Sequence, residues 1–405
     1  MSLAVKRGTH RVNRRRSSYV STVRMLACRR GVLVTSWPMR VPFFRYSAMF
    51  AMHEAAYRAA MDAVLERGAY ILQQENRDFE ERFARYTGVN HVIGVANGTD
   101  AIILALRAAG VRPGDEVILP SHTYIATAAS VHFVDAVPVL VECGPDHLMD
   151  PESAEAAITS RTRCILPVQL NGRTADMDKI LAMAARHDLV VVEDAAQGVG
   201  SRFKGQSAGT FGVAGTYSFY PAKTLGSFGD GGAVVTNDAS VAEQIRLLSD
   251  HGRNPDGRVV TWGVNSRLDN LQAAVLLARL DILDKEIAHR RSVAARYQEG
   301  LGDLEQLVLP PPPVDDGDHY DVYQNYEIEA EQRDALREHL RNAGVGTLIQ
   351  WNGTPVHQFE ELGFDVSLPV TDRLFERCML LPMNSMLQSD EVEIVIEEIR
   401  NFYRS

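Results

Sequence analysis

The strongest constraint on the fold is an alternation: between residues 91 and 238, short β-branched apolar runs take turns with helical stretches. Segments 91–95, 116–119, 138–141, 163–167, 189–192 and 214–219 read as strands, and 101–109, 151–158 and 177–187 as helices. That order predicts an α/β fold with a mostly parallel sheet. Ligands of such sheets sit beyond the carboxyl ends of the strands. Two amphipathic helices precede the sheet, at 51–67 and 75–86, and a long helical run is expected at 268–290. Pro310, Pro311, Pro312 and Pro313 mark a surface connection. Strands at 322–328 and 346–350 and helices at 332–343 and 390–403 then suit a smaller α+β domain.

Chemistry concentrates in 189–238. The run Leu189 to Val192 delivers Glu193 and Asp194 at a strand end, while Lys223 follows another strand in a loop rather than on a solvated helix face. An acid and a lysine held this way suit pyridoxal phosphate (PLP). An enzyme lysine holds that cofactor as a Schiff base, and a carboxylate beside the ring nitrogen keeps it protonated so the ring can accept electrons. An aspartate facing such a cation is expected to have its pKa lowered by about 1–3 units. Taken singly, neither residue says this: a lone lysine is most often on the surface, and an aspartate after a strand more often forms a turn or a cap. Rival phosphate motifs fail. A P-loop around Lys223 would need glycine where Tyr217 and Ala222 stand, and Gly198, Val199, Gly200 lack the third glycine of a dinucleotide fingerprint.

Composition narrows the class further. With 405 residues, 45% of them hydrophobic, the chain can bury a large core and divide into a larger and a smaller domain. A net charge of −10 argues against nucleic acid or an anionic membrane as the main partner. No apolar run reaches the roughly 18 residues of a spanning helix. Cys28, Cys143, Cys164 and Cys378 are widely spaced with no metal-binding pattern, which suits reduced cytoplasmic thiols and no metal. Residues 1–40 differ, because Lys6, Arg7, Arg11 and the basic residues after them meet no acid before Glu54. An organelle presequence, a basic arm for nucleic acid and sequence translated from an early start codon compete there; the last, as a disordered extension, is the expectation.

The wording of the motifs adds a resemblance. ANGTDAI at 96–102, GDEVILP at 114–120, EDAAQ at 193–197, YSFYPAKTLG at 217–226, GDGGAVVTND at 229–238 and GVNSRLDNLQAAVL at 263–276 closely resemble the DegT/DnrJ/EryC1/StrS family of sugar aminotransferases. The likeness runs from about Val41 to Phe402. It implies the type I PLP aminotransferase fold, like that of aspartate aminotransferase, with a large PLP-binding domain at 41–285 and a small C-terminal α+β domain at 286–405. It also implies roles. Lys223 would carry the Schiff base and act as acid and base, and Asp194 would hold the ring nitrogen. Gly98, Thr99 and Ser218 would bind the phosphate. Tyr124 would stack on the ring, and Gln197, one helical turn after Asp194, would bond the phenolic oxygen. Asn265 would reach the phosphate in the neighbouring subunit, which implies a homodimer with shared sites. From the residues alone, Gly98 and Thr99 are equally the start of a plain capped helix, Tyr124 a core or interface tyrosine, and Gln197 and Ser218 polar loop residues.

Two loops depart from the family pattern. Most relatives carry a histidine and a tyrosine where this chain has Val168 to Gly172, and a Tyr-Pro-x-Pro-x-His pattern where it has Gln350 to His357. Asn171, Trp351 and His357 are therefore the candidates for sugar contact, although Trp351 could fill an interface and His357 cap a turn. The expected reaction moves an amino group from glutamate or glutamine to a nucleotide-linked keto-deoxysugar. The best match is C4 of dTDP-4-keto-6-deoxyglucose, for amino-deoxysugar biosynthesis in an antibiotic or a polysaccharide. A C3-keto sugar or an aminocyclitol is the alternative. A PLP-dependent sugar dehydratase, in which histidine replaces the lysine, and a non-catalytic PLP-binding regulator are further ones.

Overall fold

The computed structural model describes residues 39–404, so the expected amino-terminal extension lies outside them except for its last two residues. The chain is anchored from Arg40 onward: the N–H groups of Arg40 and Val41 donate to the Gly344 carbonyl at 2.9 and 3.0 Å.

Among the described residues seven strands form the main sheet: β1 (His91–Val95), β2 (Glu116–Pro120), β3 (Val137–Val141), β4 (Thr162–Ile165), β5 (Val190–Asp194), β6 (Ala214–Ser218) and β7 (Gly232–Thr236). Their order across the sheet is β1-β7-β6-β5-β4-β2-β3. Only β7 runs against its neighbours, pairing antiparallel with β1 and β6; every other pair is parallel. The side-chain period of two then feeds two cores. Val117, Leu119, Val192 and Val234 face one, beneath the helices Gly98–Ala108, Ile125–Phe133 and Ala239–Ser249. Ile118 and Val191 face the other way toward helix Met177–Arg186, and Ala233 and Val235 toward helices Gln74–Thr87 and Asn270–Leu280. Because both faces are covered, β2 and β5 read as nearly continuous apolar runs.

A second sheet, β8 (Leu307–Val308), β9 (Tyr326–Ala330) and β10 (Cys378–Leu381), is antiparallel in that order. It packs on helices Arg333–Asn342 and Ser389–Arg404. Helix Leu283–Leu301 serves both cores, with Leu283 and Ile287 in that of the large sheet and Val293, Tyr297 and Leu301 in that of the small one. The domain boundary expected at 285/286 falls inside this helix.

Three expectations are corrected. The helical run at 268–290 is two helices, Asn270–Leu280 and Leu283–Leu301, broken where buried Arg279 turns to Glu286 (3.0 Å) and to the Thr224 carbonyl (3.3 Å). No glycine or proline marks that break. The strand expected from Val322 begins only at Tyr326, because Tyr323 takes a positive φ of 51° and the next two residues turn into the site. The strand expected at 346–350 does not form; Leu348 makes a single bridge to Leu380, and Trp351 and Asn352 then turn the chain with φ of 52° and 57°.

Candidate active site

The carboxyl ends of β5 and β6 lie side by side and present the acid and the lysine. Period two sends Glu193 and Asp194 to opposite faces. Glu193 is a structural anchor, accepting from Gln169 Nε2 (2.7 Å) and from the N–H groups of Gly209 (2.7 Å), Phe211 (2.6 Å) and Gly212 (3.0 Å). Asp194, 5% exposed, accepts from Thr127 Oγ1 at 2.8 Å and the Ala196 N–H at 3.1 Å. Thr127 has one O–H and spends it on Asp194, so Thr123 Oγ1, 2.7 Å away, donates to Thr127. Burial pushes the Asp194 carboxyl above its ordinary range, with Thr127, Ala196 and the Lys223 charge pulling it back. In the protein alone desolvation outweighs the lysine charge; the lowering expected from sequence belongs to an aspartate facing the ring cation. A carboxylate this poorly solvated gains most from a cation set beside it.

Lys223 stands in the turn after β6, its N–H donating to the Tyr220 carbonyl at 2.8 Å. Gln324 grips both neighbours: its Oε1 accepts from the Thr224 N–H (2.5 Å) and Oγ1 (2.7 Å), and its Nε2 donates to the Ala222 carbonyl (2.9 Å). Burial pushes the Lys223 amine down to about 8, and the Asp194 charge opposes this. Among the described residues no side chain bonds the amine.

The phosphate candidates also converge. Asn97 caps helix Gly98–Ala108 by accepting from the Asp100 N–H at 2.8 Å, and its carbonyl takes the Ala101 N–H. That leaves the N–H groups of Gly98 and Thr99 without an acceptor among the described residues. A Cβ at Gly98 would meet Ser218 Cβ at 2.8 Å, so glycine is what lets the helix start approach the end of β6. Two free N–H groups and a hydroxyl on one helix dipole make an anion cradle. With the uncommitted amine and the buried carboxylate, these residues fit the phosphate, aldehyde and ring nitrogen of PLP.

The remaining candidates sort themselves. Tyr124, 57% exposed, lies with its ring centroid 5.4 Å from that of Trp351. Gln197 sits in a turn rather than the expected helix, and its Oε1 accepts from the Asn171 N–H (2.8 Å) and Asn325 Nδ2 (3.2 Å). Asn171 belongs to a cluster with Gln350 and buried Glu327. A cleft of ≈ 510 Å³ backs onto Asn171, Asn325 and Glu327. Both ring nitrogens of His357 are engaged, Nδ1 with Ser121 Oγ at 2.7 Å and Nε2 with Asp372 Oδ1 at 2.8 Å, leaving neither for a sugar. Asn265 is exposed and makes no side-chain bond among the described residues. Sequence reasoning missed Thr127, Gln324, Asn325 and Glu327, whose partners lie far away along the chain; Thr127, three residues after Tyr124 at a helix start, was the most readable.

A buried acid and an uncommitted lysine at adjoining strand ends of this sheet define a PLP enzyme of the aminotransferase class. The chain belongs to the DegT/DnrJ/EryC1/StrS aminotransferase family, whose model matches residues 52–400, and is a PLP-dependent transaminase. It is 40% identical over 375 residues to the pleiotropic regulatory protein of Geobacillus stearothermophilus, an alignment covering 90% of this chain and 99% of the relative. With the dTDP-3-amino-3,4,6-trideoxy-alpha-D-glucose transaminase of Streptomyces venezuelae it shares 42% identity over 368 residues, 90% of this chain and 96% of that one. The crystal structure of S. venezuelae DesV in complex with a ketimine intermediate matches with a TM-score of 0.87 at 42% identity, covering 91% of this chain and 100% of that chain.

Proposed function

We propose that the protein transfers the amino group of glutamate or glutamine to the keto carbon of a nucleotide-linked keto-deoxysugar, and that this carbon is C3. The observation that carries the aminotransfer is Lys223, held down to about 8 by burial beside Asp194 and bonded to no side chain among the described residues. The choice of carbon moves from the C4 expected from sequence to C3, because the S. venezuelae relative carries a 3-amino sugar in its name.

PLP, when bound, supplies the electron sink for proton removal beside nitrogen. Gly98 and Thr99 N–H groups with Ser218 Oγ hold its phosphate; Asp194, steadied by Thr127, keeps the ring nitrogen protonated; Tyr124 covers one face and Gln197 meets the phenolic oxygen. With an amine near 8, Lys223 is poised to accept a proton from the donor's α-carbon and return it to the sugar carbon. Asn171 and Trp351 lie on the sugar side, and His357 holds the Trp351 loop through Ser121 and Asp372. Donor and sugar use one site in turn, which gives ping-pong kinetics.

Asn265 completes the site of a second copy, so the working unit is a homodimer. An exposed apolar stretch beside it supports this, with Val259, Val260 and Val264 more than half exposed and Trp262 92% exposed. No helix among the described residues is long and apolar enough to cross a membrane, and a reducing cytoplasm suits the buried free thiols of Cys143, Cys164 and Cys378. The test is incubation with glutamate, or glutamine, and a panel of dTDP- and UDP-linked 3-keto and 4-keto sugars, read by mass spectrometry. Amine formation on 3-keto sugars is expected. Amination of only 4-keto sugars overturns the carbon, and amination of none overturns the substrate class.

A further inference from the structure

We propose that Glu327 fixes the direction of a relay of side-chain amides that turns the NH₂ of Gln197 toward the cofactor, making Glu327 a positioning residue for the PLP ring. The proposal rests on the reading that Gln197 meets the phenolic oxygen. An amide has a donor end and an acceptor end of nearly equal shape, so its orientation is set by whatever fixed donors and acceptors surround it. Here two groups of fixed character bracket the cluster.

At one end the Asn171 backbone N–H can only donate, and Gln197 Oε1 faces it at 2.8 Å. At the other end an ionised carboxylate can only accept. Glu327 takes Asn171 Nδ2 on Oε2 at 2.8 Å and Gln350 Nε2 on Oε1 at 2.9 Å. Burial alone would raise this carboxyl, yet His122 and His147 hold it well below the ordinary carboxylate range. His147 Nδ1 lies 3.0 Å from Oε2, and His122 Nε2 3.5 Å from Oε1.

With Nδ2 committed to Glu327, Asn171 Oδ1 must point back into the cluster, where it accepts from Gln350 Nε2 (2.9 Å) and Asn325 Nδ2 (3.0 Å). Asn325 Nδ2 then also reaches Gln197 Oε1 at 3.2 Å. Each amide is thereby fixed by the one before it. Gln197 has its oxygen used twice, and its Nε2 bonds nothing among the described residues. That Nε2 is the donor left for a phenolate. Without an acceptor-only group at 327, Asn171 is free to flip; Asn325 follows, and its oxygen turns against that of Gln197. The two loops that depart from the family pattern meet in this relay, since Gln350 and Asn171 bond each other and share Glu327.

The test is a pH titration of visible absorbance in the loaded enzyme. A donor on the phenolic oxygen stabilises its negative charge, which is largest when the neighbouring nitrogen has lost its proton, so the donor lowers the midpoint of the colour change. Gln197→Ala should raise that midpoint by about one unit. Glu327→Gln should raise it by less, because the Asn171 N–H still holds Gln197, and should add nothing in the Gln197→Ala background. A Glu327→Gln midpoint equal to that of the parent while Gln197→Ala shifts, or a full further shift in the double variant, overturns the relay and leaves the Gln197 reading intact. An unmoved midpoint in Gln197→Ala overturns that reading and the relay with it. Should Glu327→Gln fail to fold, Asn325→Asp places an oxygen against Gln197 Oε1 and must give the same upward shift; an unmoved midpoint there counts against the relay equally.

Discussion

Lys223 is costly to keep charged where it sits, and the cost has a definite pH window. Its folded pKa of about 8 lies below the ordinary 10.5, so the unfolded chain binds more protons between those values and stability rises with pH across them. In cofactor-free protein, Lys223→Met should melt higher than the parent at pH 7, and the gap should close as pH rises from about 8 toward 10.5. A constant gap across that range would contradict the burial argument. Thr127→Val removes the hydroxyl that steadies Asp194, so PLP affinity, read by fluorescence titration, should fall about tenfold. The lysine and the aspartate were legible because strand ends have local signatures. Thr127 and Gln324 were less so, since side-chain hydrogen bonds to residues far along the chain leave little trace in spacing or hydropathy.

At the scale of elements, six of the seven strands of the large sheet were legible to within two residues at each end because most of their side chains are buried, whereas β7 was read only as part of a motif and not as a strand. The segments around the cleft were not. Segment 346–350 looks like a strand by composition, but its neighbour Leu380 offers one bridge, and two successive positive-φ residues turn it toward Glu327. The turn Leu170–Gly172 shows how tightly such loops are set: Gly172 has φ of +85°, and a Cβ there would meet the Gln324 N–H nitrogen at 2.5 Å. Gly172→Ala should therefore cost roughly 1–3 kcal/mol in urea unfolding. Because Gln324 also grips the Lys223 loop, the same change should weaken PLP binding. Unchanged unfolding and unchanged binding would show that the turn yields freely.

For the whole molecule, the sequence made the sheet and the family legible, while the burial of helix Leu283–Leu301 against two cores at once belongs to tertiary packing and had no local sign. The exposed side chains around Trp262 and Asn265 carry the dimer proposal. Trp262→Asp should convert the dimer to monomer in sedimentation velocity and lower PLP occupancy with it, whereas an unchanged dimer would place the interface elsewhere. The central claim, that Lys223 is the residue joined to the cofactor, is met most directly by borohydride reduction of the PLP-loaded enzyme followed by peptide mass spectrometry. The account predicts the added pyridoxyl mass on the peptide containing Lys223 and its loss in Lys223→Ala. The mass on any other lysine, or on none, would contradict it.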